Sequence, residues 1–105
     1  MGLFSFLRAP VIDEGVQEFQ NTPGALLLDV RSAEEYHERH IPGSKNIPLH
    51  LLPARLSDLG APDTPLFVHC LSGGRSAQAV SFLKSQGFCN AKNIGGIAGY
   101  SGKVE

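Results

Sequence analysis

Two short, nearly continuous runs of apolar residues constrain the fold of this chain more than any other feature. The runs are ALLLDV (residues 25–30) and PLFVHC (residues 65–70), and the turn-forming clusters NTPG and APDT precede them. An apolar run of this length without polar alternation is typical of a strand that is buried on both faces, as in a parallel sheet. The chain is therefore expected to contain a parallel sheet with helical connections.

The segments between and around these runs carry helix and strand signals. Ser32 stands three residues before Glu35, which is the spacing of a capping box, and opens a helix over AEEYHERH. Two further helices, each followed by a glycine, are predicted at residues 51–59 and 75–86. Additional short strands are predicted at residues 11–12, 45–47 and 91–94. The sequence thus predicts an α/β fold with an open, mainly parallel, five-stranded sheet and helices on both faces.

Length and composition indicate a single globular domain. The chain has 105 residues, of which 42% are hydrophobic, and a formal net charge of −1. A balanced charge without a basic stripe argues against a nucleic-acid partner, and no stretch approaches the ~20 apolar residues of a membrane span. The two cysteines form no CxxC or zinc pattern, so we expect no metal site and a reducing, cytoplasmic location.

The domain is expected to cover residues 11–105, preceded by an apolar extension at residues 1–10, MGLFSFLRAP. The extension lacks the basic start and the cleavage pattern of a signal peptide. We expect Phe4, Phe6 and Leu7 to pack against the domain, with contact to a membrane or a partner as the alternative. A monomer or a weak dimer is expected.

The segment VHCLSGGRS, residues 68–76, places a thiol at the carboxyl end of a predicted strand, where open parallel sheets bind ligands. Paired glycines let backbone amides converge, and the N-terminus of the following helix adds free N–H groups that suit an anion. A helix N-terminus and a nearby cation, here Arg75, lower a thiol pKa from about 8.5 into the range ~3.5–7.5. The segment therefore predicts a nucleophilic Cys70. A buried small apolar side chain, which we expect for Cys89, is the alternative.

Three sequence blocks follow one another in a recognisable order: residues 26–48 (LLLDVRSAEEYHERHIPGSKNIP), 68–80 (VHCLSGGRSAQAV) and 91–100 (AKNIGGIAGY). In these blocks the chain resembles the rhodanese-homology family, and specifically its single-domain sulfurtransferases. The resemblance implies a parallel α/β fold and a double displacement: Cys70 takes a sulfane sulfur from a donor such as thiosulfate and becomes a persulfide. Cyanide or another thiol, of low molecular weight or on a protein, then removes that sulfur. No metal or organic cofactor is implied.

The residues after Cys70 complete the predicted site. Their backbone amides are expected to stabilise the persulfide anion, and they are Leu71, Ser72, Gly73, Gly74 and Arg75. The Arg75 guanidinium is expected to attract the anionic donor. Four residues separate Cys70 from Arg75, one fewer than in related phosphatases, and this tighter loop suits a sulfur atom better than a phosphoryl group. A non-catalytic sulfur carrier or redox-sensing module is the main alternative, and a phosphatase or arsenate reductase is a weaker one.

Several polar residues close to these blocks have two interpretations. Arg31 either binds substrate beside the loop or pairs with a carboxylate, whereas Asp29 is expected to cap a turn. His69 adjoins the nucleophile, but strand neighbours point to opposite faces, which disfavours it as a general base. His37 and His40 have a metal-compatible spacing without a third ligand, and His40 is expected to hold the following turn by a hydrogen bond.

Overall fold

A computed structural model describes residues 10–105 of the chain. Residues 1–9 lie outside the described residues, and the predicted packing of Phe4, Phe6 and Leu7 lies outside them too. Across the described part, no helix has both the length and the apolar character needed to span a bilayer.

Four parallel strands form one sheet. They are β1 (Leu26–Asp29), β2 (Ser44–Asn46), β3 (Leu66–Cys70) and β4 (Ala91–Gly96), arranged in the order β2-β1-β3-β4. All three neighbouring pairs are parallel. The two apolar runs become the central strands β1 and β3, where both faces of the strand are covered and neither needs polar residues. The predicted parallel sheet is confirmed.

The prediction of a fifth strand is wrong. Val11 is the N-cap of helix α1 (Ile12–Gln20), and Ile12 is its first residue. Ile12, Val16 and Phe19 recur at helical spacing and pack together against the sheet. The pair Val11–Ile12 alone does not distinguish a helix from a strand, whereas the longer spacing does.

Helices cover both faces of the sheet, as predicted. Helix α1 packs on one face, where the core includes Leu27, Phe67 and Ile94. The other face holds a second core with Leu28, Val68 and Leu83. Within residues 10–105 the other helices are α2 (Ala33–Glu38), α3 (Gly74–Ser85) and three short 3-10 helices (Leu49–Ala54, Leu56–Leu59 and Ile97–Gly99). The helix predicted at residues 51–59 is thus two 3-10 segments, because the proline within the first lacks the N–H that an α-helix requires.

The carboxyl ends of β1, β3 and β4 lie at the same edge of the sheet. Asp29 pairs in register with His69, and Cys70 pairs with Gly96. Because β3 lies between β1 and β4, Cys70 lies at the middle of this edge. The topology therefore places the thiol where parallel sheets commonly bind ligands.

Candidate active site

The Cys70 loop, residues 70–76, joins the end of β3 to the first turn of α3. Gly73 is the N-cap of α3 and has a φ of +103°, a left-handed conformation that glycine adopts without the usual steric cost. Gly96 of β4 lies directly against the loop, since a Cβ at this position would overlap the carbonyl oxygen of Leu71. Both glycines are therefore needed for the loop to close on the sheet edge.

The sulfur of Cys70 accepts two backbone hydrogen bonds. The amide of Gly73 donates to it at 3.0 Å and the amide of Ser76 at 3.4 Å, while the Ser76 hydroxyl oxygen lies 3.4 Å away. Burial raises the pKa of the thiol, but the Ser76 hydroxyl and the amides of Ser76, Gly73 and Ser72 outweigh burial and hold the pKa below its ordinary value. The side chain is 1% exposed and belongs to the core. It is a buried thiol whose neighbours favour the anion.

The other predicted amide donors lie around the same loop. Gly74 and Arg75 occupy the first turn of α3, where backbone amides have no intrahelical acceptor. The side chains of Leu71 and Ser72 are exposed. That these amides bind the outer sulfur of a persulfide stays a prediction.

Arg75 pairs with a carboxylate of α2. Its guanidinium donates to both oxygens of Glu35, at 2.7 and 3.0 Å. Glu35 also completes the predicted capping box with Ser32. The hydrogen bond from Arg75 lowers the pKa of Glu35 to about 2, and the same contact raises the pKa of Arg75. The positive charge of Arg75 is thus largely offset by Glu35, and its attraction for an anionic donor stays a prediction.

Arg31 faces Asp29. The guanidinium donates to both carboxylate oxygens of Asp29, at 2.8 to 3.1 Å, and to the carbonyl oxygen of Arg39 at 2.8 Å. The Arg31 amide also donates to Asp29, which therefore closes the turn after β1 as expected of a capping residue. Arg31 is only 3% exposed. These contacts favour the structural interpretation of Arg31, and its contact with substrate stays a prediction.

The family profile described as Rhodanese-like domain matches residues 13–103. The chain belongs to the Rhodanese-like domain family. A sulfurtransferase of Allochromatium vinosum is 35% identical over 86 residues, which cover 81% of this chain and 79% of that protein.

Two further relatives show the range of this family. YrkF of Bacillus subtilis, for which a sulfur-carrier role is proposed, is 40% identical over 75% of this chain, but the match spans only 43% of YrkF. The solved structure of the human single-domain sulfurtransferase TSTD1 has a TM-score of 0.72 and 28% identity, and the match covers 88% of this chain and 95% of TSTD1. The rhodanese-like domain thus has both sulfurtransferases and a proposed carrier among its relatives.

His69 of the rhodanese-like domain adjoins Cys70 in β3. His69 is 0% exposed, and its Nε2 atom lies 3.9 Å from Asp29. Burial lowers the pKa of His69, so that the ring is held neutral. Strand alternation points its ring to the face opposite the Cys70 side chain, as the sequence predicted.

His37 and His40 do not belong to a metal site in the described part of the chain, where no group of three or more His, Cys, Asp or Glu side chains could hold an ion. His37 is exposed. The ring of His40 stacks on Tyr36 and lies 2.9 Å from the Tyr36 carbonyl oxygen. The ring nitrogen therefore bonds back to α2, whereas the sequence predicted a hydrogen bond to the following turn.

Cys89 is exposed, so the prediction that it is buried is wrong. It lies in the turn after α3, and its thiol is 3.9 Å from the Pro62 carbonyl oxygen. Ser76, Asn93 and the pairing of Glu35 with Arg75 were not predicted. Ser76 directly follows Arg75 in the sequence, so its place in the loop could be predicted. The contacts of Asn93 with Ser76 and of Glu35 with Arg75 join segments that are distant in sequence.

A cleft of about 320 Å³ opens beside Arg75. Its lining includes the apolar side chains of Val30, Pro48 and Leu49 together with Ser32 and His50. A volume of this size lies at the lower end of the range of small-molecule sites, about 300–1,000 Å³.

Proposed function

We propose that the rhodanese-like domain is a sulfurtransferase that moves a sulfane sulfur from a donor such as thiosulfate to a thiophilic acceptor through a Cys70 persulfide. The observation that carries the proposal is the pair of amides, from Gly73 and Ser76, that donate to the Cys70 sulfur at the end of β3. These fixed donors stabilise the Cys70 thiolate, both as it attacks the donor and when it leaves in the second displacement.

The reaction runs in two displacements. The Cys70 thiolate attacks the outer sulfur of thiosulfate, a new S–S bond forms, and sulfite leaves with the electrons of the bond that breaks. Cyanide or a second thiolate then attacks the outer sulfur of the persulfide, and the Cys70 thiolate leaves. Each step exchanges one nucleophile for another, so that no external oxidant or reductant is consumed.

The free amides in the first turn of α3 are the proposed partners of the outer sulfur, and Gly74 and Arg75 supply them. The cleft beside Arg75 is the proposed binding site of the acceptor, since it combines apolar walls with the polar groups of Ser32 and His50. An acceptor that fits is a small thiol with a short carbon skeleton. A thiol on a partner protein is the alternative acceptor.

Loading with thiosulfate tests the proposal. Intact mass under nonreducing conditions should show the gain of one sulfur atom on the wild type and on Cys89→Ser, but none on Cys70→Ser. The Cys89→Ser variant is the matched control because Cys89 is the exposed thiol of the same chain. An unmodified wild type, or an adduct that persists in Cys70→Ser, would overturn the proposal.

A sulfur carrier is the second candidate, favoured by the similarity to YrkF. A carrier also forms the Cys70 persulfide but passes its sulfur to one dedicated partner. Steady thiocyanate formation with excess thiosulfate and cyanide distinguishes the two functions. A transferase releases many equivalents of thiocyanate per chain, whereas a carrier that requires its dedicated partner keeps the persulfide and releases almost none.

A further inference from the structure

The hydroxyl of Ser76 lies between the Cys70 sulfur and the side chain of Asn93. Its oxygen is 3.4 Å from the sulfur and 2.8 Å from the Asn93 side-chain oxygen Oδ1. The carbonyl oxygens of Gly73 and Gly95 lie farther away, at 3.1 and 3.5 Å. A hydroxyl has one proton, so Ser76 can donate to only one of these neighbours at a time. The nearest competitor of the sulfur for that proton is Asn93.

The orientation of the Asn93 amide follows from its other two contacts. Its oxygen accepts from the Gly95 amide at 3.0 Å, and its Nδ2 atom donates to the Gly73 carbonyl oxygen at 3.2 Å. A flipped amide would bring two donors together at Gly95 and two acceptors together at Gly73. The oxygen of Asn93 therefore faces Ser76, and as a carbonyl oxygen it accepts both the Gly95 amide and the Ser76 hydroxyl.

A local irregularity in β4 brings Asn93 to this position. Val68 pairs with Asn93, but the next residue, His69, pairs with Gly95, so that Ile94 is an extra residue in β4. Such bulges re-aim side chains near functional sites. The irregular pairing places Asn93 beside the N-terminus of α3, although it is distant from the Cys70 loop in sequence.

We propose that Asn93 is a positioning residue that controls, through the single hydroxyl proton of Ser76, how readily the Cys70 thiol ionises. With a neutral thiol, Ser76 donates to Asn93 and accepts from the S–H group. When the thiol loses its proton to solvent, the Ser76 hydroxyl rotates and donates to the thiolate, and Asn93 keeps its bond from the Gly95 amide. Asn93 thus favours the thiol form, and the Ser76 hydroxyl favours the thiolate.

The charged and titratable groups near this site remain unchanged in the test variants. Those on the elements around the sulfur are Arg75 of α3, Glu35 of α2, Asp29 and Arg31 at the end of β1, and His69 of β3. Arg75 pairs with Glu35, and Arg31 pairs with Asp29. The ring of His69 lies on the opposite face of β3. Differences between variants at Ser76 and Asn93 therefore report the hydroxyl proton.

The inference and the proposed function concern the same sulfur, that of Cys70. The test of the inference measures alkylation and needs no sulfur transfer. The rate of Cys70 alkylation by iodoacetamide is measured against pH in a Cys89→Ser background. Ser76→Ala is expected to raise the apparent pKa by about one unit, because the thiolate loses a charge-assisted hydrogen bond while the Ser76 backbone amide stays.

Asn93→Leu gives the decisive comparison. It removes the competing oxygen, so it should lower the apparent pKa by about half a unit when Ser76 is present and leave it unchanged in the Ser76→Ala background. If Asn93 only holds the loop together, the same substitution loosens the amide donors and raises the pKa in both backgrounds. That result, or no change in the presence of Ser76, would overturn the inference.

Asn93→Asp provides a second test that does not depend on the folding of the leucine variant. The new carboxylate binds the Ser76 hydroxyl more strongly than the amide does, so it should raise the apparent pKa of Cys70. The increase should be larger when Ser76 is present than in the Ser76→Ala background. Equal shifts in the two backgrounds would show that the aspartate acts through its charge alone and would overturn the inference.

A chain that fails to load thiosulfate but shows this pattern refutes the sulfurtransferase proposal and leaves the inference intact.

Discussion

The two cysteines of this chain have opposite surroundings. Cys70 is 1% exposed at the end of β3, and two backbone amides and a hydroxyl surround its sulfur. Cys89 is exposed in the turn after α3, and its thiol donates to the Pro62 carbonyl oxygen at 3.9 Å, a neighbour that can only accept. Access favours Cys89, whereas stabilisation of an anion favours Cys70.

The difference shows that the donors around a thiol, rather than its exposure, mark the candidate nucleophile. Burial by itself opposes ionisation of Cys70, and only the convergent N–H and O–H groups reverse that effect.

The largest expected effect concerns the buried ion pair of Arg31 with Asp29 at the end of β1. Arg31→Met removes the partner of Asp29, a carboxylate that is 0% exposed, and should lower the free energy of unfolding by about 3–5 kcal/mol. Urea unfolding measures the change. Thiosulfate loading of the folded fraction should keep its KM, and a raised KM with unchanged stability would show instead that Arg31 binds the donor.

The second effect concerns the contact between β4 and the Cys70 loop. Gly96→Ala places a Cβ against the Leu71 carbonyl oxygen and should slow sulfur loading of Cys70 about a hundredfold, since small misplacements of reacting groups have effects of that size. Gly99→Ala is the control, because a Cβ there meets no atom within 4 Å. Alkylation of Cys89 should be the same in both variants. Loading of Gly96→Ala at the wild-type rate would contradict the close packing of the loop.

The smallest effect concerns the ion pair of α2 and α3. Glu35→Gln should lower the free energy of unfolding by about 1 kcal/mol at pH 7, because both partners are partly exposed. The pKa of Glu35 is lowered from 4.5 to about 2, so this stabilisation is complete above pH 4.5 and is lost between pH 4.5 and 2.

Unfolding of the wild type and Glu35→Gln across that pH range measures the difference, with the exposed Glu38→Gln on the same helix as control. A difference that stays constant down to pH 2 would show that the carboxylate is not the stabilising group.

The sequence predicts those parts of the fold and site that are contiguous along the chain. The runs at β1 and β3 are unambiguous because strands buried on both faces require continuous apolar residues. The loop from Cys70 to Ser76 is predictable for a similar reason, since nucleophile, glycines and helix start follow one another. The predicted strand at Val11–Ile12 is wrong because two apolar residues are too few to show either a helical or a strand period.

Contacts between distant segments escape such analysis. Glu35 lies 40 residues before Arg75, and its capping box with Ser32 gave no sign of the second partner. Asn93 reaches Ser76 only because β4 has an irregular register beside β3. These pairings depend on the sheet order and on one extra residue in a strand, which local patterns do not specify.

The pH dependence of Cys70 alkylation in the folded and the urea-unfolded wild type tests the central claim most directly, with peptide mass spectrometry separating the two cysteines. We predict a lower apparent pKa for Cys70 in the folded chain than in the unfolded chain, because the amides of Gly73 and Ser76 and the Ser76 hydroxyl stabilise the thiolate only when the loop is folded. Equal midpoints in the two states, or a higher midpoint in the folded chain, would show that burial dominates at this sulfur and would contradict the account.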